Sequence, residues 1–168
     1  MRKEIFETLY SVNVNEKTEK KNNLTYLSWA WAWAEFVKVC PDAHYEIQMF
    51  DGKPYLYDDK LGYMVFTSIT ADGDTKSMWL PVMDGSNKAM KDHPYKYATY
   101  KKNFNTGKVE TVEKVCDAAS MFDINKTIMR CLTKNISMFG LGLYIYAGED
   151  LPEEIRDEDK NDRWEGLK

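Results

Sequence analysis

No stretch of this chain approaches the roughly 18 consecutive apolar residues that a membrane-spanning helix needs. The start, Met1-Arg2-Lys3-Glu4, lacks the apolar run of a secretory signal, so a cytosolic protein is expected. Cysteine is scarce. Cys40, Cys116 and Cys131 are odd in number and form no C-x-x-C pair, which argues against a disulfide framework or a zinc knuckle. They read as small buried hydrophobes of a reducing compartment. The pattern G-x-x-x-x-G-K-[ST] is missing, so a P-loop ATPase is not expected. Gly140-Leu141-Gly142 follows a predicted helix instead of joining a strand to one, a poor setting for a dinucleotide loop. Histidine is limited to His44, in a predicted strand, and His93, in a lysine-rich segment. Both read as structural or incidental, not as general bases.

Two acidic patterns have the residue types of metal sites. Asp72 and Asp74 flank Gly73 in a hairpin sequence, which reads as turn chemistry before metal ligation. Pro41-Asp42 followed by Glu46-Ile47-Gln48 is similar to the P-D…E-x-K pattern of metal-dependent nucleases. Gln48 stands where the lysine belongs, so the charge that would stabilise an attacking hydroxide is missing. No catalytic residue, metal ligand or cofactor is expected.

What is present is a foldable core with an uneven charge. Hydrophobic residues make up 43% of the 168 and there are five Trp, enough for one globular domain with a short appendage. The net charge of −4 conceals a polarity. Residues 85–108 hold six lysines against Asp92 alone, a local charge of +5, and residues 149–168 hold nine acids against four bases, a local charge of −5. The expected organisation is a polar N-terminal segment over 1–23, a core domain over 24–148, and an acidic, disordered tail over 149–168.

The pattern predicts an α+β fold. Residues 5–10 suggest a short helix. LSWAWAWAEFVKVC predicts a helix over 28–39, with Ser28 as N-cap, Pro41 as stop, and Trp29, Trp33, Phe36, Val37 and Cys40 on one side. Trp29 and Trp33 are assigned to the core, and Trp31, which points elsewhere, to a subunit interface. Strands are predicted over 44–50, 55–57, 63–70 and 76–83, with a tight hairpin at Asp72-Gly73 and an edge position for the strand bearing Pro81. Residues 84–116 read as a hairpin turning at Asn105-Thr106-Gly107 or as a mobile loop. A long helix follows over 117–139, ended by Gly140, and then a buried strand over 142–147. The result is an antiparallel β-meander (a β-β-β-α core) packed against one long helix, with an additional helix on the N-terminal side.

Two features suggest a polyanionic partner. On the long helix, Met121, Ile124, Ile128, Cys131, Leu132, Ile136 and Phe139 gather on one side, with Asn125 and Asn135 toward it. Lys126, Arg130 and Lys134 gather on the other with Thr127, Thr133 and Ser137, and no acid shares that face. Solvated helices usually mix signs, because like charges four apart repel. An ordinary solvated face is the other reading. In the second feature cations alternate with rings: Lys88, Lys91, Tyr95, Lys96, Tyr97, Tyr100, Lys101, Lys102 and Phe104. Lysine neutralises phosphate and a ring offers a face to an unstacked base, a combination suited to single strands. A lysine-rich hairpin with aromatic cross-strand pairs is the alternative.

The blocks LSWAWAWAEF, YDDKLGYMVFTSIT, MWLPVMDG, MFDINKTIMRCLTKN and MFGLGLYIYAGEDLP, spanning roughly residues 24–152, closely resemble the Sak-type phage single-strand annealing proteins of the third Sak group. That group is similar to the eukaryotic Rad-type annealing and recombination-mediator proteins. The resemblance implies ATP-independent annealing of complementary DNA strands in phage homologous recombination, in the cytoplasm of a bacterial host. It also implies assembly into a ring or filament, with single-stranded DNA in a basic groove. Basic residues on the helix before an F-G pair line that groove in the relatives. Here they correspond to Arg130 and Lys134 ahead of Phe139-Gly140, with Lys126 one turn earlier. This chain departs in having one cation per turn where the eukaryotic relatives cluster several, which implies a weaker groove or more reliance on residues 88–102. Expected partners are single-stranded DNA, further copies of the chain, and a phage single-strand-binding protein or host recombinase. The alternatives are a module that coats single-stranded DNA or RNA without annealing, a metal-dependent nuclease, and a scaffold whose basic patch meets an acidic protein.

Overall fold

A computed structural model describes residues 2–21, 24–102 and 109–147, the side chains of Lys21, Leu24, Lys101 and Lys102 excepted. In chain order it has α1 (Lys3–Tyr10), β1 (Thr18–Lys21), β2 (Leu24–Leu27), α2 (Trp29–Val39), β3 (His44–Ile47), β4 (Leu56–Asp58) and β5 (Gly62–Ala71). Then come β6 (Asp74–Pro81), β7 (Tyr95–Lys102), β8 (Val109–Cys116) and α3 (Met121–Ser137). This is the expected α+β class. The predicted acidic tail lies outside the described residues.

β5 is the axis of the main sheet. Thr67 pairs with Ile47 of β3 on one side and Met78 of β6 on the other, and Met64 pairs with Leu56 of β4 and with Pro81. β3 and β4 therefore share one flank of β5, and β6 occupies the other. Along β5, Val65, Thr67, Ile69 and Ala71 are buried toward α3, the alternation that a two-residue period produces. Asp72 (φ 50°) and Gly73 (φ 71°) turn the chain into β6, the geometry that D-G hairpins supply. Among the described strands β6 pairs only with β5, so Pro81 sits at an edge, as expected.

α3 starts later than its apolar pattern predicts, because Ser120 stops the chain in a capping box with Asp123. Its apolar side joins two cores. Leu132, Ile136 and Phe139 meet Leu9, Phe36 and Ile69, while Ile124, Ile128 and Cys131 meet Val65, Leu80 and Cys116. Asn135 is buried and ties helix to sheet, its Nδ2 donating to the carbonyl oxygens of Thr67 (3.1 Å) and Lys76 (3.0 Å). All three cysteines are buried and free.

Several expectations are corrected. Residues 142–147 form no strand. Gly140 (φ 120°) and Gly142 (φ 65°) fold the chain beneath α1, and Leu143–Tyr146 make a short 3-10 turn. At Gly140 a Cβ would stand 2.6 Å from the Phe6 carbonyl oxygen, so the turn depends on glycine. Residues 18–27, for which the sequence predicts no strand, form the β1–β2 hairpin. Met121 is 65% exposed instead of in the core, and Asn125 is exposed too, since both lie at the open first turn of α3. Thr127, Thr133 and Ser137 are buried, not solvated, because β2 lies beside that face of α3. Their hydroxyls donate to carbonyl oxygens of the preceding turn. Trp33 packs half-buried against the first core, as does Trp31, but Trp29 is 45% exposed. The predicted strand over 44–50 ends at Ile47, and Phe50 forms an isolated bridge with Lys53 around the turn.

Candidate nucleic-acid interface

The four-residue spacing of Lys126, Arg130 and Lys134 advances about 6 Å per step along the helix axis, so the cations stand in a row. Each stands over a ring. The Lys126 Nζ is 5.8 Å from the centroid of Phe122, the Arg130 Cζ 5.2 Å from that of Tyr26, and the Lys134 Nζ 5.5 Å from that of Tyr146. Tyr26 comes from β2 and Tyr146 from the turn after α3, so two other parts of the chain flank the row. Such contacts are worth about 0.5–1 kcal/mol at exposed sites and hold the cations in place without neutralising them.

Between the β1–β2 hairpin and α3 this arrangement leaves an open groove of about 410 Å³. Tyr26, Trp29, Phe122, Met129 and Tyr146 supply its apolar walls, and Lys17, Lys126 and Arg130 its positive charge. Glu19, Thr25, Ser28, Asn125 and Thr133 add the uncharged and acidic polar lining. The expectation that no acid approaches the row needs correcting. Asp123 lies one turn before Lys126 and its Oδ1 accepts from the Lys126 Nζ at 3.1 Å. Burial acts to raise the Asp123 carboxyl, but hydrogen bonds from Ser120 and the charge of Lys126 outweigh it and hold it below the usual 3.8. Asp123 is thus a charged cap that also orients Lys126. With Lys17, Lys126 and Arg130 against Glu19 and the largely sheltered Asp123, the groove stays net positive.

The sequence marked the cations of this groove but not its rings. Trp29 has helical spacing with Phe36, which predicts a place in the core. It is the first residue of α2, though, and faces the groove instead. Phe122 and Tyr26 carried no periodic signal. The usable clue was Ser120 with Asp123, which fixes the start of α3 and leaves Phe122 on its first, uncovered turn.

The second expected feature is a different place. Residues 95–102 and 109–116 do form a hairpin, and its turn, with Phe104, lies outside the described residues. Its base packs through Tyr95, Tyr97 and Cys116 onto the core beside Ile124 and Ile128, away from the side of α3 that carries Arg130. Lys88 stands 5.3 Å from the Tyr97 ring and Lys91 5.4 Å from the Tyr95 ring. Tyr97 is therefore half-buried and Lys96 donates to Glu113 at 2.7 Å, whereas Tyr100 is 77% exposed. The side chains of Lys101 and Lys102 lie outside the described residues. Burial, with smaller contributions from Cys116 and nearby groups, pushes the Tyr95 hydroxyl up to about 12, consistent with a structural role at the hairpin base.

In the Asp72-Gly73-Asp74 turn both carboxylates are engaged by neighbouring cations. Asp72 accepts from the Arg2 backbone N–H at 2.7 Å and from its guanidinium at 3.0 Å, and Asp74 pairs with Lys76 at 3.0 Å. Among the described residues no group of three or more His, Cys, Asp or Glu is placed to hold a metal ion. Among the same residues no helix is long and apolar enough to cross a membrane.

An α+β core with a row of cations on its long helix fits a protein that holds a polyanion. No curated protein and no solved structure matches the chain. A family model described as Sak single strand annealing protein matches residues 3–166, nearly the whole chain. The chain belongs to the Sak family of single-strand annealing proteins.

Proposed function

We propose that this protein anneals complementary DNA strands without ATP in phage homologous recombination, gripping each strand by its phosphates along Lys126, Arg130 and Lys134. The observation that carries the reading is a row of three cations on α3, two of which, Lys126 and Arg130, line a net-positive, ring-lined groove, in a chain of an annealing family. Phosphates seated on the row release counterions, which drives binding. Neutralised strands repel each other less, and bases facing outward are free to test a second strand. Stacking in the duplex returns about 1.4 kcal/mol per base-pair step, so pairing supplies its own free energy and no nucleotide is needed. Lys88, Lys91, Lys96, Tyr97, Tyr100, Lys101 and Lys102 form a second contact, in which exposed Tyr100 is the available ring.

The active form in this reading is a homo-oligomer, ring or filament, of the third Sak group. Support comes from apolar surface left open. Phe66 and Trp79 face away from α3 on the outer side of the sheet, with Trp79 exposed. The outer half of the β7–β8 hairpin exposes Tyr100, Val109 and Val112, and a two-stranded hairpin is marginal alone. The acidic residues 149–168 offer a contact for a phage single-strand-binding protein or host recombinase, or a guard against duplex entering the groove.

Two complementary oligonucleotides, EDTA and no nucleotide test the reading. Pairing should be accelerated, and a strict requirement for ATP hydrolysis would overturn it. Binding without acceleration would leave a coating module in place of an annealer.

A further inference from the structure

We infer that each protomer turns one DNA base inward, onto the exposed rings of Trp29 and Phe122 that line the groove. The inference rests on the phosphate-binding reading above and adds to it a place where the strand's own stacking is interrupted.

Both rings are open to solvent. Trp29 is 45% and Phe122 75% exposed, and both line the same groove as Lys126 and Arg130. Neither is needed to close a core. The first core takes Phe36 and Ala32 from α2, and the second takes Ile124 and Ile128 from α3. Two large rings left at the first residue of one helix and the second of another are therefore held ready for something flat and apolar. What that is follows from their neighbours. A protein segment of apolar side chains would bring no anion to Lys17, Lys126 and Arg130, which line the groove. A nucleotide brings an anion and a ring system on one sugar. The Lys126 Nζ is 5.8 Å from the Phe122 centroid, so a phosphate at Lys126 places its base within reach of that ring. The groove, about 410 Å³, lies in the size range of small-molecule sites and has room for one base. Asn125 and Ser28 add an amide and a hydroxyl at its wall, able to meet a base edge.

Single-stranded DNA is favoured over duplex, because a paired base would have to break its own stacking and pairing to enter. The remaining bases stay outward. A strand so held is divided into short runs separated by one withdrawn base per protomer, and a second strand pairs run by run.

The test uses the full chain with two probes of equal length and charge: oligo-dT, and the same backbone in which every base is replaced by an abasic sugar. The wild type should prefer oligo-dT, and intrinsic Trp fluorescence should be quenched by oligo-dT and not by the abasic strand. W29A/F122A should lose at least about fivefold in oligo-dT affinity, the equivalent of one stacked base. Its affinity for the abasic strand and its salt slope should stay unchanged. W29F/F122W, which keeps both rings, should restore the preference, and circular dichroism checks the fold of each variant. Equal weakening toward both probes would overturn the inference, as would no weakening toward either, and in both cases the phosphate reading would stand. A shift in particle mass with base preference intact would assign the rings to a subunit contact and overturn it too. A wild type that binds neither probe would overturn the inference together with the phosphate reading.

Discussion

Replacing Lys126, Arg130 and Lys134 together by Gln removes the charge of the α3 row while keeping side-chain length and helix propensity. The fold should survive. The variant loses the three cation–ring contacts of the row and the half-exposed Lys126–Asp123 pair, each worth about 1 kcal/mol or less, and leaves Ile128, Leu132 and Ile136 in place. Binding should change far more. A single strand releases about 0.7 counterion per phosphate contact, so three lost contacts lower the slope of log K against log salt by about 2 per protomer engaged. At 0.1 M salt the same term amounts to about a hundredfold in affinity. Fluorescence anisotropy of a labelled oligonucleotide between about 50 and 300 mM salt, over which the Debye length shrinks, reads both quantities. Lys3→Gln and Lys20→Gln are the controls and should do little. An unchanged slope in the triple variant would refute the placement of the site on α3 and leave residues 88–102 to carry it.

Asp123→Asn should reduce stability near neutral pH while strengthening strand binding about twofold by freeing Lys126, opposite signs that a merely structural acid would not produce. Because the Asp123 carboxyl is held below 3.8 in the fold, its stabilisation is present above that value and lost as pH falls beneath about 4. Thermal melts of Asp123→Asn should therefore show a shallower acid decline than the wild type. Gly140→Ala should cost more than about 2 kcal/mol in urea unfolding, since a Cβ would meet the Phe6 carbonyl oxygen at 2.6 Å and φ is 120°. Burial pushes the Cys131 thiol up to about 11, and all three cysteines are buried. A thiol reagent should thus label the native protein at least about a hundredfold more slowly than the urea-unfolded chain.

The elements legible in the sequence are those whose signal is local. D-G at 72–73 with β-branched flanks marks the β5–β6 hairpin, and the apolar periods of α2 and α3 survive because each helix buries one continuous side. What escaped depends on distant partners. Thr18–Lys21 is too polar and Leu24–Leu27 too short to announce a strand, yet their hairpin forms one wall of the groove. Without that wall, Thr127 and Thr133 look solvated and Trp29 looks like core. Residues 142–147 have the composition of a buried strand, but two positive-φ glycines bend the chain back under α1 before a strand can run. Cations betray themselves by sign and spacing, so half of the site was visible. The rings that complete it were not, because an exposed ring and a buried one look alike until the covering element is known.

The central claim is that annealing proceeds by strands held on α3 and needs no nucleotide. Stopped-flow mixing of two complementary labelled oligonucleotides in EDTA, with wild type or the triple Gln variant, tests it most directly. The account predicts that the wild type accelerates pairing, that the gain declines as salt rises, and that the triple variant loses most of it at equal protein concentration. A triple variant that anneals at the wild-type rate, or a wild type that leaves the uncatalysed rate unchanged, would contradict it.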